Sequence, residues 1–261
     1  MRSGPGISTR RQALSFVNDV GFCFVFRTRT HEMPCLWNAV YGDGSTDRDT
    51  VAPHAPSFVW HLRGIMPGEK AAFCGKLLLR RPMLVSLEYF PHFYVLNEWR
   101  ARNMHDGPAL SHLSATARTL MEQLRRHSPQ TSFDLRQRLF TSTGTGGSAF
   151  ELALTELQTR MHIAAIESSG RPPSTAWALT SRLFRNQIRR AHRISVEEAR
   201  RSVLERHFRN QFVLTVAEIR RLFRWERQEI FQTLGELIRR GIVTPEVQVE
   251  GIADRTYCLL T

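Results

Sequence analysis

"LTELQTRMHI" (Leu154–Ile163) and "LGELIRRGIV" (Leu234–Val243) decide the fold of this chain, because both follow the pattern Leu-x-Glu-Leu-x-x-Arg-x-x-aliphatic. They lie 80 residues apart (234 − 154). Further upstream, "SFDLRQRLF" and "TVAEIRRLF" both end in Arg-Leu-Phe, 83 residues apart (221 − 138). Two matches in the same order and at nearly the same offset indicate a duplicated structural unit.

The second copy has the element order of a winged helix. Ser195 is placed to cap a helix through Asn210, and Thr215 to cap a short helix ending near Phe223. A third helix is predicted over 226–240 from its apolar positions at helical spacing. "IVTPEVQVE" and "RTYCLL" then predict a β-hairpin. Three helices followed by a hairpin is the order of this helix-turn-helix variant.

The first copy repeats that order. Helices are predicted from about Ser111 to His127, from Ser132 to Phe140 and from about Ser148 to Arg160. "HIAAIE" and "STAWAL" follow as the two strands of a second hairpin. Because the two copies show the same order of elements, each prediction supports the other.

These patterns predict a fold that is mainly α with small β-hairpins (α+β), built from tandem winged-helix units. The N-terminal region is less clear: a helix from Ser8 to Gly21 is predicted, followed by short strands and helices, and a winged-helix-like fold is one alternative for it. The domains are expected to be the mixed N-terminal region 1–107, a winged helix 108–180, a basic connecting helix 181–194 and a winged helix 195–261.

The chain of 261 residues carries a formal net charge of +12 and has a sequence pI near 10.8. The basic excess is almost entirely arginine, since Lys70 and Lys76 are its lysines. Guanidinium groups bind phosphate through two parallel hydrogen bonds and stack on bases, so nucleic acid is the expected partner. An arginine-rich genome would explain the ratio of arginine to lysine but not the net charge.

The segment "SRLFRNQIRRAHRIS" supplies the candidate contacts to the phosphate backbone. Its arginines recur every three or four residues, which predicts one basic stripe on a single helix: Arg182, Arg185, Arg189 and Arg193. The alternative is a solvated face on a helix that packs against the neighbouring domain.

The start of the third helix of the second copy supplies the candidate groove contacts. Arginine and glutamine side chains reach guanine and adenine edges, and the candidates are Arg224, Arg227, Gln228 and Gln232. The equivalent helix of the first copy is acidic and predicts a scaffold rather than a reader, with Ser148, Glu151, Thr155 and Glu156 at its exposed positions.

The sequence contains no pattern typical of a metal site, a phosphate-binding loop or a membrane segment. The four cysteines are scattered without metal-ligand spacing, which predicts reduced, mostly buried thiols, and no metal site or cofactor is expected. "GTGG" lacks the lysine and hydroxyl residue of a phosphate-binding loop. No apolar run predicts a membrane span or a secretory signal, so a cytoplasmic protein is expected, or one associated with the nucleoid in a bacterium. The oligomeric state stays open.

The chain resembles the winged-helix crosslink-repair DNA glycosylases. The likeness lies in the N-terminal helix ending in a Gly-aromatic segment, in the block "KLLLRRPMLVSLEYFPHFYVL" and in the winged-helix pair. The resemblance implies tandem winged helices with an added β-barrel, and excision of alkylated bases from DNA. The hallmark of that family is Gln-hydrophobic-Gln or Gln-hydrophobic-Asp, following the glycine that ends a helix.

In this chain the resemblance places the hallmark on Phe24-Val25-Phe26, within "VGFCFVF". A phenyl ring neither orients a water molecule nor stabilises charge at the sugar, so no catalytic residue is assigned and the segment is predicted to be core. The expected function is binding of double-stranded DNA, either intact or alkylated, without glycosylase chemistry. The alternatives are an active DNA glycosylase for alkylated bases with a relocated catalytic group, and a winged-helix transcriptional regulator or protein-interaction module.

Overall fold

One order of elements recurs three times along the chain. The computed structural model describes residues 6–28, 33–42, 58–103, 113–139, 146–168, 174–245 and 256–260. Unit 1 comprises α1 (Arg10–Val20), β1 (Phe22–Phe24), α2 (Leu36–Tyr41), α3 (Phe58–Gly68), β2 (Ala72–Gly75) and β3 (Met83–Ser86). A long helix, α4 (Phe90–Asn103), follows it.

The second and third repeats follow the same plan. Unit 2 comprises α5 (Ala115–Arg126), β4 (Gln130–Thr131), α6 (Ser132–Leu139), α7 (Gly146–Thr159), β5 (Ile163–Glu167) and β6 (Thr175–Leu179). Two short helices, α8 (Thr180–Leu183) and α9 (Arg185–Ala191), lead to the last repeat. Unit 3 comprises α10 (Val196–Gln211), β7 (Val213–Thr215), α11 (Val216–Phe223), α12 (Arg227–Arg239), β8 (Val243–Pro245) and β9 (Thr256–Leu259).

Each unit holds a three-stranded antiparallel sheet with its last strand in the middle. The strand orders are β1-β3-β2, β4-β6-β5 and β7-β9-β8. The matching registers pair Phe22 with Val85 in unit 1 and Leu214 with Tyr257 in unit 3. The predicted fold class is therefore confirmed. The duplication predicted from the sequence extends to a third copy of the same element order in the N-terminal region, while the domain boundaries stay predictions.

Local sequence signals fix the helix starts. Thr9 caps α1, and Gln12 returns its side chain to the Thr9 backbone in a capping box. Thr215 and Glu218 form the same arrangement at α11, and Ser195 caps α10 as predicted. Among the described residues, no helix is both long and apolar enough to cross a membrane.

The sheet of unit 1 is buried on both faces, and this explains "VGFCFVF". Phe22 and Phe24 point to one side, into a cluster that includes residues of α4 and unit 3. Cys23 and Val25 point to the other side, toward α1 and α3. The prediction that this segment is core is confirmed for all four residues, each at most 1% exposed. Phe26, the next residue, is half-buried against two tryptophans.

The basic segment between units 2 and 3 is not one helix. α8 ends and α9 begins at Phe184, whose φ of −115° and ψ of 36° interrupt the helical backbone. The Phe184 ring is fully buried, with ring centroids 5.1 Å from Phe90 and 5.8 Å from Phe73. The prediction of a single basic helix over 181–194 is wrong, because this ring is inserted into the core where the chain bends.

Candidate nucleic-acid interface

The third helix of a winged helix is the element that enters a DNA groove. The helices at the corresponding position of the three units are α3, α7 and α12. Their surroundings differ, and this difference decides which of them has side chains available to a partner.

Helix α3 packs against the hairpin of unit 2. His61 Nδ1 lies 2.8 Å from Glu167 Oε1 on β5, and Arg63 Nη2 donates to Thr175 Oγ1 on β6 at 3.2 Å. The two backbones meet at Gly64, where a Cβ atom would lie 2.8 Å from the nitrogen of Glu167. This side of α3 is therefore occupied inside the molecule.

The C-terminal half of α7 is occupied in the same way by the hairpin of unit 1. Lys76 Nζ donates to Thr155 Oγ1 at 2.9 Å, and Thr159 Oγ1 donates to the Lys76 carbonyl at 3.1 Å. Partial burial lowers the pKa of Lys76 below its usual value. Glu156 accepts from the Ser114 backbone at 3.2 Å, and Glu151 pairs with Arg136 at 2.6 Å. These contacts engage α7 within the molecule, and the scaffold role of this copy stays a prediction.

Helix α12 presents a polar face to solvent. The exposed side chains of its first two turns lie on one side of the helix and are Arg227, Gln228, Phe231 and Gln232. The opposite side carries Glu229, which is ion-paired with Arg200 of α10. The Arg200 guanidinium also lies over the Trp99 ring, 4.3 Å from its centroid. A buried anchor thus holds α12 with this face turned outward.

The eight predicted contact residues fall into three places. Arg227, Gln228 and Gln232 share the exposed face of α12. Arg224 is the C-cap of α11 and lies before α12 begins. The remaining four are exposed but do not form one helical stripe: Arg182 lies on α8, Arg185 and Arg189 on α9, and Arg193 beyond the end of α9.

The arginines on and near α8 and α9 also differ in the hydrogen bonds that they form. Arg182 Nη2 donates to the carbonyl of Arg125 at 2.7 Å, so it fastens α8 to the end of α5. Arg189 donates to Asn186 within its own helix at 2.7 Å. Arg185 is exposed at the start of α9, and Arg193 is exposed two residues beyond its end.

A family described as AlkZ related matches residues 7–224 of this chain. The chain belongs to this family. The resemblance drawn from its sequence is thereby confirmed, and the match includes all of unit 1 and unit 2 and the first three elements of unit 3, which are α10, β7 and α11.

A solved AlkZ-type structure gives the same fold. The Streptomyces sahachiroi DNA glycosylase AlkZ superposes with a TM-score of 0.50 at 12% sequence identity, over 74% of this chain and 54% of that chain. The chain therefore spans about half the length of the AlkZ structure that it matches. A comparison with curated proteins finds no match.

The segment to which the resemblance assigns the glycosylase hallmark lies inside this AlkZ-related fold. Phe24 is 1% exposed and pairs with Met83 across the sheet. The Phe26 ring lies 6.2 Å from Trp37 and 5.8 Å from Trp60, centroid to centroid. Neither side chain carries a group that accepts or donates a proton, so this position supplies no acid–base chemistry.

Proposed function

We propose that the protein binds duplex DNA, with the exposed face of α12 in the major groove. The observation that carries this proposal is the contrast among the three helices. Contacts with a neighbouring unit engage α3 and the C-terminal half of α7, and the exposed N-terminal half of α7 carries the acidic Glu151, whereas the exposed face of α12 carries Arg227, Gln228 and Gln232. Arginine and glutamine form paired hydrogen bonds with guanine and adenine edges. Membership of the AlkZ-related family supports DNA as the partner.

The phosphate backbone is the proposed partner of α9. Arg185, Arg189 and Arg193 are exposed and belong to a chain with a net charge of +12. Contacts of this kind release counterions and make affinity depend steeply on salt. They position the protein on DNA, while α12 reads the bases.

Binding is proposed to occur without base excision at the hallmark position. Phe24 and Phe26 offer no carboxylate or amide to orient a water molecule or to stabilise charge at the sugar. The AlkZ protein of known structure is named a DNA glycosylase. In this chain the proposed role is the binding part of that activity.

A second candidate function is excision by a relocated acid–base pair. His61 and Glu167 are hydrogen-bonded at the edge of a cavity of about 40 Å³, beside Trp60, whose side chain is 44% exposed. A carboxylate can serve glycosidic hydrolysis, and an aromatic ring can stack on an extruded base. Alkali-labile sites in alkylated DNA that disappear in Glu167→Gln would favour this candidate.

The deciding experiment measures binding of the full chain to labelled duplex DNA, intact and alkylated, across a salt series. The same reactions are heated in alkali to reveal abasic sites. We expect salt-dependent binding, no strand breaks, and an affinity at least about tenfold weaker in Arg227→Gln/Gln228→Ala. Arg118→Gln, an exposed arginine on α5, is the control for lost charge.

The same salt series tests the proposed phosphate contacts of α9 separately. Arg185→Ala/Arg189→Ala should reduce the slope of log affinity against log salt by about 2, because two phosphate contacts are lost. Unchanged binding in both double variants would contradict the proposed surface. No binding by the wild type at low salt would reject DNA binding and leave a protein-interaction module.

A further inference from the structure

A cavity of about 250 Å³ lies where the three units meet. Four separate segments form its wall: the β2–β3 connection, one face of α4, the end of α7 and the end of α11. The lining residues are Leu77, Leu78, Leu79, Arg80, Asn97, Arg100, Ala101, Thr159, Arg160, Leu222, Phe223 and Arg224. A smaller cavity of about 30 Å³ shares five of these residues and extends toward Trp225.

The wall of this cavity is strongly basic. It contains four arginines, and the described residues that line it include no aspartate or glutamate. Arg80 and Arg224 are exposed, and within the described part of the chain their guanidinium groups form no ion pair. Arg160 Nε lies 3.9 Å from Glu156 Oε1, an oxygen that already accepts from the Ser114 backbone.

Arg100 is the most confined of the four. Its Nη2 atom donates to the carbonyl of Phe223 at 2.5 Å, and its side chain has further N–H donors and lines the cavity. Burial lowers the pKa of Arg100, and repulsion by the nearby Arg224 lowers it further, while Glu229 opposes the change. Positive charges are therefore held close together with few nearby carboxylates to neutralise them. A bound anion would reduce the repulsion between these charges.

The backbone around the cavity is also unusual. Leu79, Arg80 and Arg224 have φ angles of 51°, 55° and 55°, in the left-handed region that non-glycine residues rarely adopt. Such conformations persist where the surrounding fold enforces them, and they cluster at binding sites. Here they bring Arg80 and Arg224 to the cavity from two different units.

We propose that this cavity binds a terminal phosphate monoester of a nucleotide. A monoester carries a charge near −2 and three strongly accepting oxygens, which matches several converging guanidinium groups better than the single charge of a backbone diester. The wall formed by Leu77, Leu78, Leu222 and Phe223 supplies apolar surface for the attached nucleoside. The phosphate can belong to a free nucleotide or to the end of a DNA strand.

Titration calorimetry of the full chain tests the site with three probes: inorganic phosphate, 2′-deoxyadenosine 5′-monophosphate and 2′-deoxyadenosine. We expect the monophosphate to bind and the nucleoside without phosphate not to bind. Arg80→Gln/Arg160→Gln should lower the affinity for the monophosphate at least about tenfold, because charge-assisted hydrogen bonds are lost. Arg118→Gln/Arg239→Gln removes the same charge from exposed sites outside the cavity and should leave the affinity unchanged.

The melting temperature without ligand is the folding control. It should change little in Arg80→Gln/Arg160→Gln, because the loss of the long Arg160–Glu156 ion pair is offset by the removal of charges that repel their neighbours. If that variant does not fold, Arg224→Asn is measured instead, since asparagine tolerates the left-handed backbone at this position. Equal binding of nucleoside and nucleotide, or unchanged affinity in the cavity variant, would overturn the proposal.

Nicked duplexes distinguish the two sources of the phosphate. A duplex with a 5′-phosphate at the nick should bind more tightly than the same duplex with a 5′-hydroxyl if strand ends are the ligand, and the cavity variant should lose that difference. Equal binding of the two duplexes, with the monophosphate still bound, assigns the site to free nucleotides. Arg227→Gln/Gln228→Ala should keep the monophosphate site intact, so failure of the α12 proposal leaves a signature different from failure of this one.

Discussion

Arg200 of α10 and Glu229 of α12 form an ion pair in which the side chains are only 7% and 13% exposed. The second carboxylate oxygen of Glu229 accepts from the Glu226 backbone at 2.8 Å and so closes the capping box of α12. The guanidinium stacks over Trp99 of α4. One buried charge pair therefore sets both the start of α12 and its orientation.

Glu229→Gln should lower the free energy of unfolding by about 3 kcal/mol, because it leaves the Arg200 charge buried without its partner. Glutamine can still accept from the Glu226 backbone, so the helix cap is retained. Urea denaturation measures the change. Glu197→Gln, an exposed carboxylate in the first turn of α10, is the control. Equal stability of the two variants would show that the pair does not anchor α12.

His207 should make the fold sensitive to mild acid. Its ring is 1% exposed between Phe22 and Phe223, with centroids 6.4 and 5.3 Å away, and burial lowers its pKa to about 3. Below pH 6.5 the unfolded chain binds a proton at this histidine that the folded chain does not bind until about pH 3. Stability is therefore complete above pH 6.5 and decreases as the pH falls.

The expected loss from His207 is about 2 kcal/mol between pH 7 and pH 5. His162, whose pKa burial lowers to about 4, should add a similar loss. Denaturation of wild type and His207→Phe at both pH values measures the share of His207, which the variant should lack. His192→Gln, at an exposed position, should follow the wild type. Parallel curves for wild type and His207→Phe would contradict this assignment.

Gly64→Ala should destabilise the contact between units 1 and 2. The added methyl group would lie 2.8 Å from the backbone nitrogen of Glu167, so α3 and β5 must move apart. Overpacking of this kind reduces stability by about 1–3 kcal/mol. A lower melting temperature is the expected readout, and an unchanged one would mean that the two units separate without strain.

Gly235→Ala should have the opposite sign. A Cβ atom at Gly235 has no atom within 4 Å, and the residue lies inside α12, where alanine has the higher helix propensity. The free energy of unfolding should increase by about 1 kcal/mol. The same denaturation experiment compares it with Gly64→Ala, so one substitution at two glycines separates close packing from helix propensity.

Units 2 and 3 could be predicted from the sequence, whereas unit 1 could not be resolved. The helices of units 2 and 3 alternate between core and solvent and keep the Leu-x-Glu-Leu pattern. In unit 1, residues 72–75 and 83–86 are buried on both faces of the sheet. Strands of this kind lack the alternation of polar and apolar residues that identifies a half-exposed strand. For this reason β2 and β3 carry no periodic signal that would have placed them in the sequence.

The candidate site shows a similar division. Arg227, Gln228 and Gln232 could be placed on one helical face because spacing along a helix is local information. The arginines of the central cavity come from four segments that are distant in sequence, so no spacing rule could group them. One partial indication is present in the sequence: Arg160 occupies the arginine position of the internal repeat, and Arg240 occupies the same position in the other copy. The bend at Phe184 was missed because burial of a ring depends on the neighbouring unit.

Phe24 also limits how this chain can change in evolution. Glutamine at this position would bury an amide without a partner, at a cost of about 2–7 kcal/mol. That is comparable to the roughly 5–15 kcal/mol by which folded domains are stable. A single polar replacement here is therefore expected to remove a large fraction of the stability of the fold. Polar side chains are therefore more compatible with the surfaces between the units than with the centre of this sheet.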